Sequence, residues 1–387
     1  MAIAKTSPES GYNGHLVTSK EEKKTKASLI SESWDFWLLG GAGLILTPFL
    51  IAIPAEWAPV IFAITLFIAN FINHPHFAHS YQIFFRSFYS VSTCKDAPDS
   101  IRIRYFIAGV AIPACLVAYL LSGYFLENAR MLGLAGNVMA FLVGWHYVKQ
   151  GYGMLIVQSV LKRSYFSDNE KKWLLSNAYS LWIFSYLLLN WTGSRSELWG
   201  LKYLVIDIPI DLVLISAIVA ALTTLKLSNV LWNKYQAKGT ALPTSGLIAY
   251  SVTLYIWLFA YLDPILIAVV PALHSLQYLA VVWRFEWNRE NYRDGTIPQN
   301  FLFHAFGNKP YKRLIRYIFV GTVLGYLAFW WFPEMLSIKT ESAFIQQSPG
   351  VIFFISWIFI NIHHYFIDNV IWRKENSETA KYLFSNS

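Results

Sequence analysis

Cysteine is nearly absent. Cys94 and Cys115 are the only two in 387 residues, which excludes a disulfide framework and any zinc site built from cysteines. Charge is scarce too, at 14% Asp, Glu, Lys and Arg against 55% hydrophobic residues, a balance far from that of soluble globular chains. The first 33 residues are polar and lysine-rich and contain no apolar run, so a cleavable signal peptide is not expected. The chain has no H-E-x-x-H run, which removes the intramembrane zinc-protease motif. Its net charge of +8 does not indicate nucleic acid as a partner, because the lysines and arginines flank apolar segments as membrane anchors do.

What the chain has in abundance is long apolar runs. Stretches of about 20 apolar residues, enough to cross a bilayer, occur near 34–53, 57–80, 103–125, 131–160, 172–191, 201–225, 244–262, 264–285, 313–333 and 348–372. The expected fold is therefore an all-α polytopic membrane bundle of about ten transmembrane helices. It comprises a disordered polar tail over 1–33, a helical domain over 34–372 and a short tail over 373–387. Basic residues concentrate in alternate loops: Arg86 to Arg104, Lys162 to Lys172, Lys226 to Lys238, Arg284 to Arg313, and Arg373 with Lys374. The positive-inside rule then places both termini in the cytoplasm. A bacterial inner membrane is the expected location.

Seven of the nine histidines lie inside or at the edge of these runs: His74, His76 and His79; His146; His274; His363 and His364. His15 and His304 lie in the tail and in a loop. An ionisable residue in a spanning helix is costly and is a functional candidate by default. All four clusters fall on the second, fourth, eighth and tenth segments, which run in one direction. His79 precedes Arg86 by seven residues, His274 precedes Arg284 by ten and His364 precedes Arg373 by nine. At 1.5 Å per residue these positions share a depth of roughly 10–15 Å from the basic end. A shared depth is what a single site requires. His146 stands sixteen residues before Lys162 and fits less tightly; Lys149, one turn away, reads as a snorkelling anchor.

Polar residues follow several histidines at helical spacing: Gln82 after His79, Gln150 after His146, Gln277 after His274 and Asp368 after His364. Such groups can accept the second ring N–H of a metal ligand and fix its orientation. Asn73 and Asn361 belong to two related runs, Phe71 to Phe77 and Phe359 to Tyr365, which read as an internal duplication. Asp368 is also a candidate ligand. Three simpler readings compete with a metal site. His146 or His274 alone could hydrogen-bond a neighbouring helix. Pro75 could break its helix and leave the first cluster at the head groups. Adjacent His363 and His364 point about 100° apart, so one of them faces away from any single ligand.

Seven imidazoles and a carboxylate exceed the needs of one catalytic ion and suit two metals. Iron is the expected metal, with zinc or copper as alternatives. The boxes formed by His74, His76 and His79 and by His363 and His364 resemble those of histidine-box integral-membrane di-iron oxygenases. These are the desaturases, hydroxylases and alkane monooxygenases, and more distantly the bacterial membrane carotenoid-cleaving oxygenases. The HxxxH and HxxHH spacings of the desaturase boxes are not present. The resemblance implies dioxygen as co-substrate, a lipophilic substrate such as an acyl chain or isoprenoid entering from the lipid bilayer, and an external electron donor. The basic segment between Arg284 and Arg313 could dock such a donor. No residue stands out as a covalent nucleophile. The alternative functions are a metal- or proton-coupled transporter and a haem electron-transfer protein using His146 and His274 as axial ligands.

Overall fold

The computed structural model of the chain describes residues 28–93, 97–192, 197–198, 201–202, 204–237, 242–260, 265–293, 309–339, 349–373 and 375–384. Most of the polar extension expected over 1–33 lies outside these residues. So do positions 294–308 of the segment considered for an electron donor. The described chain is helical almost throughout. Its helices are α1 (Glu32–Ala52), α2 (Ala58–Ala69), α3 (Asn73–Thr93), α4 (Asp99–Phe125), α5 (Ala129–Leu161) and α6 (Asp168–Trp191). They continue with α7 (Ile210–Gln236), α8 (Thr244–Ala260), α9 (Ile265–Arg293), α10 (Tyr311–Ile338), α11 (Val351–Ile371) and α12 (Ser377–Phe384). A two-residue antiparallel pair, Glu197–Leu198 with Leu201–Lys202, is the one extended element among the described residues.

Among the described residues, seven spans are long and apolar enough to cross a membrane: α1, the 36-residue span Ala58–Thr93 that holds α2 and α3, α4, α5, α7, α10 and α11. Among the remaining helices, α6 carries Ser and Asn between its apolar residues, α8 has 17 residues, and the second half of α9 carries Arg284, Glu286, Arg289 and Glu290. The distribution of side chains is inverted relative to a water-soluble protein. Phe49 (70% exposed), Phe67 (66%), Leu225 (67%) and Phe319 (65%) face outward, whereas His79 and His364 are fully buried. Apolar exteriors around polar interiors are compatible with an integral membrane protein.

The helices ending at Thr93, Gln236 and Arg293 run 13, 11 and 8 residues past the expected segment ends, through polar and charged sequence that apolar length does not count, and two starts differ for a reason of local chemistry. The run 57–80 is not one helix, because α2 ends at Ala69 and α3 begins at Asn73. Pro75 has no N–H to offer the Phe71 carbonyl, and Asn70 caps the end of α2 by donating to Leu66 O and Phe67 O, both at 3.2 Å. Pro75 thus sits in the first turn of a new helix, where a missing N–H costs little. The first histidine cluster is buried inside the bundle. Similarly, the run 201–225 becomes helical only at Ile210, after the Pro209 cap.

Three helices widen into single π turns: Trp37–Gly41 in α1, Ile107–Ala111 in α4 and Leu327–Trp331 in α10. Each presents a group to a histidine-bearing helix: Leu39 O accepts from Gln277 (2.5 Å), Ala108 O pairs with His363 Nε2 (2.8 Å) and Phe329 stacks on His74 (4.4 Å). Such bulges recur at functional sites because they redirect backbone groups that a regular helix keeps to itself. The histidine-bearing α3, α5, α9 and α11 pack together at the centre. Below them a core of Phe84, Tyr105, Val282, Phe285 and Ile371 closes the bundle. The short α12 folds back on α9, with Asn288 Nδ2 donating to Tyr382 O at 2.8 Å.

Candidate metal centre

Three helices bring four ligand groups together. His76 from α3, His146 from α5, and His364 with Asp368 from α11 place one nitrogen or oxygen each within 4.8 Å of all the others, and all four side chains are buried. His364 and Asp368 are four residues apart, so a single helical turn sets both on one face; His364 Nε2 lies 3.3 Å from Asp368 Oδ2. The same carboxylate oxygen is 4.0 Å from His146 Nε2. His274 of α9 joins at the edge of the group, its Nε2 3.0 Å from that of His146.

The partners of the rings indicate which atoms are held ready for a ligand. His76 Nδ1 lies 2.9 Å from Ser275 Oγ. The serine hydroxyl has Pro271 O (2.7 Å) and Asn73 Oδ1 (2.8 Å) as acceptors. With its one proton directed there, Ser275 accepts from His76 Nδ1–H. That fixes the tautomer of His76 and leaves a lone pair on Nε2, which has no hydrogen-bond partner. On the carboxylate, Tyr278 donates to Asp368 Oδ1 at 3.0 Å, and the phenol oxygen also meets Ser80 Oγ. Oδ2 is thereby left to face the imidazoles.

This donor set fits a metal ion. His364 has no hydrogen-bond partner on either ring nitrogen, and a buried polar atom left unpaired costs about 1–3 kcal/mol. Nitrogens bound to one ion at about 2.0–2.1 Å stand roughly 3–3.4 Å apart. The His146–His274 separation of 3.0 Å suits either that arrangement or a single N–H···N hydrogen bond. Tyr365 stacked on His146 (4.7 Å between ring centroids), Tyr147 tilted against His274 (3.9 Å) and Phe77 edge-on to His364 (4.6 Å) enclose the group in aromatic carbon.

The other histidines expected at the site stand apart from this group. His363 points elsewhere with both nitrogens engaged: Tyr81 OH lies 2.9 Å from Nδ1, and Nε2–H donates to Ala108 O at 2.8 Å. His79 pairs its Nδ1 with Gln82 Oε1 at 2.8 Å and stacks on Tyr317 of α10 at 4.6 Å. His74 stacks on Phe329 and meets Trp330 edge-on. The last two sit where α10 comes closest to α3. A Cβ at Gly321 would lie 2.3 Å from His79 Cε1, and one at Gly325 would lie 2.7 Å from the His74 carbonyl carbon. These glycines, spaced as in G-x-x-x-G, let the two helices touch.

The polar residues expected to support the ligands divide in the same way. Gln82 does bond an imidazole, that of His79. Asn73 reaches His76 only through Ser275. Gln150 donates to the His274 carbonyl (2.8 Å) and to Gln277 Oε1 (3.2 Å), while Gln277 also accepts from Thr253 (2.9 Å) and donates to Leu39 O. These two amides tie α1, α5, α8 and α9 together rather than orient a ring. Asn361 accepts from Tyr365 OH at 3.0 Å and so holds the ring stacked on His146. Ser80, Ser275 and Tyr278 were not among the residues expected at the site. Two of them had a signal, since Ser80 follows His76 by four residues and Tyr278 follows His274 by four, a spacing that shares a helix face. No protein-family model, curated protein or solved structure matches the chain.

Proposed function

We propose that the protein is an integral-membrane, metal-dependent oxidoreductase acting on a lipophilic substrate. The observation that carries this reading is the buried group of His76, His146, His364 and Asp368, whose ligand atoms lie within 4.8 Å of one another at the centre of an apolar-faced bundle. A donor set of imidazole and carboxylate without sulfur suits iron, zinc or copper, and iron is the metal of this proposal. Bound there, iron would supply activation of dioxygen. A pair of irons, the finer form of the reading, would draw His274 in beside His146. Ser275 keeps the proton of His76 on Nδ1, Tyr278 turns Asp368 Oδ2 inward, and Phe77, Tyr147 and Tyr365 exclude water from the group.

The proposal includes ten membrane crossings, with α6, α8 and α9 added to the seven apolar spans, both termini in the cytoplasm of a bacterial cell, and an electron donor on that side. A haem pair is a poorer fit, because axial nitrogens on either side of one iron stand roughly 4 Å apart and those of His146 and His274 are 3.0 Å apart. The test is dioxygen consumption by iron-loaded protein in lipid vesicles with a chemical reductant, against acyl and isoprenoid substrates. Substrate-dependent uptake that disappears in His364→Ala is expected. Metal release into the vesicle lumen without substrate-dependent oxygen uptake would make the protein a transporter.

A further inference from the structure

At the basic end of the bundle, one turn and more beyond His79, α3, α9 and α10 line a half-open cavity of about 280 Å³. Four guanidinium groups line it, those of Arg86, Arg289, Arg313 and Arg316, together with the carboxylates of Glu286 and Glu290. The two acids are buried and shared. Glu286 accepts from Arg86 (2.7 and 3.2 Å) and from Arg289 (3.2 Å), while Glu290 accepts from Arg289 and Arg313, both at 3.2 Å. Glu378 is not among the lining groups; it accepts from Ser87 Oγ at 2.9 Å. The described lining therefore carries four positive charges against two negative, and this excess lies in a concavity where low-dielectric walls concentrate its field.

The shape of the cavity is amphipathic. Its floor is the Arg–Glu network, and one flank is Leu314, Tyr317 and Val320 of α10. Val320 is 40% exposed and continues outward into Phe319, Val323 and Leu324, the exposed apolar face of α10. A free inorganic anion has no use for that flank, whereas an anion carrying a hydrocarbon chain meets both surfaces at once. Guanidinium groups favour carboxylate and phosphate through paired N–H donors, and a cavity of this size suits a head group rather than a protein partner. We propose that this cavity binds the anionic head group, carboxylate or phosphate, of a membrane amphiphile whose apolar chain lies along the Val320 flank of α10. The inference goes beyond the metal chemistry and does not rest on it. It does place the bound head near the histidine helices, because Gln82 and Tyr317 line the cavity and also contact His79.

The test is equilibrium binding of labelled palmitate to the full chain in neutral detergent, with hexadecanol as the uncharged match. Metal content is measured on the same samples. Arg316 is exposed, so Arg316→Glu keeps the fold while reversing one lining charge; Val320→Asp, also at an exposed position, places a negative charge on the apolar flank. Palmitate is expected to bind at least about tenfold more tightly than hexadecanol, and each variant to weaken palmitate at least about tenfold with metal content unchanged. Competition separates the sources. Displacement by phosphatidylglycerol assigns the site to a phospholipid head, and resistance to it assigns the site to a single-chain carboxylate; either supports an amphiphile site. Equal binding of hexadecanol, palmitate binding unmoved by both variants, or displacement by inorganic phosphate at equal concentration would overturn the proposal.

Discussion

His363 and His364 are neighbours in sequence, equally buried in α11 and about equally deep, yet they sit in opposite situations. His364 turns into a group of imidazoles and a carboxylate with neither ring nitrogen hydrogen-bonded. His363 turns toward α3 and α4 and is satisfied on both nitrogens by Tyr81 and Ala108. Along α3 the difference is one of position: His76 has Nδ1 fixed by Ser275 and Nε2 open to the group, while His79 bonds Gln82 through Nδ1, stacks on Tyr317 and keeps its partnerless Nε2 outside the group. Density of histidine in a membrane helix therefore does not identify ligands. What separates them is whether a lone pair converges with others.

Substitutions at the two kinds of histidine should differ most in bound metal. His364→Ala or Asp368→Ala is expected to lower metal content to about a tenth of wild type or less, measured by elemental analysis, because each removes a converging ligand. Ser275→Ala should act next. It frees the His76 ring to change tautomer and should weaken metal binding by about 10–100-fold in a chelator competition, the cost typical of losing an outer partner of a ligand. Gln82→Ala, its counterpart on His79, should leave affinity unchanged, and an equal loss in the two would erase the distinction. Tyr278→Phe removes the hydrogen bond to Asp368 Oδ1 and should weaken binding by about tenfold, the low end of the same range.

At the small end of the series, His363→Ala should keep its metal. It should nonetheless lower thermal stability, by about 1–3 kcal/mol, because Tyr81 OH and Ala108 O lose their buried partner. Gly321→Ala tests the helix contact instead of the ligands. Its methyl would meet the His79 ring at 2.3 Å, so the ring or α10 must shift, at a cost of about 1–3 kcal/mol in a thermal or denaturant melt.

Much of this arrangement can be read in the chain before any fold is known, and the remainder has physical reasons for being hidden. Apolar length locates the helix starts to within a few residues, except where proline intervenes at Pro75 and Pro209, and it misses the ends of α3, α7 and α9, which run 13, 11 and 8 residues further through polar sequence. Alignment of the histidines at one depth anticipates that helices far apart in sequence meet at their level, and the four-residue step from His364 to Asp368 anticipates a shared face. Rotation about each helix axis is not available from periodicity in segments that are apolar all round, so His74, His79 and His363 look like equals of His76 and His364. The π turns are equally invisible, since no composition marks them, yet the turns at Leu39 and Ala108 supply the carbonyls that occupy Gln277 and His363. Ser275 escapes notice because its partner is 199 residues away.

The most direct test of the central claim is the metal content per chain of detergent-purified protein, determined side by side for wild type, His364→Ala and His363→Ala. At least one tightly held metal ion in wild type and in His363→Ala, with loss in a folded His364→Ala, is the predicted result. A folded wild-type protein that holds no metal after growth and purification with iron, or equal retention in the two variants, would contradict the assignment of His76, His146, His364 and Asp368 as a metal centre.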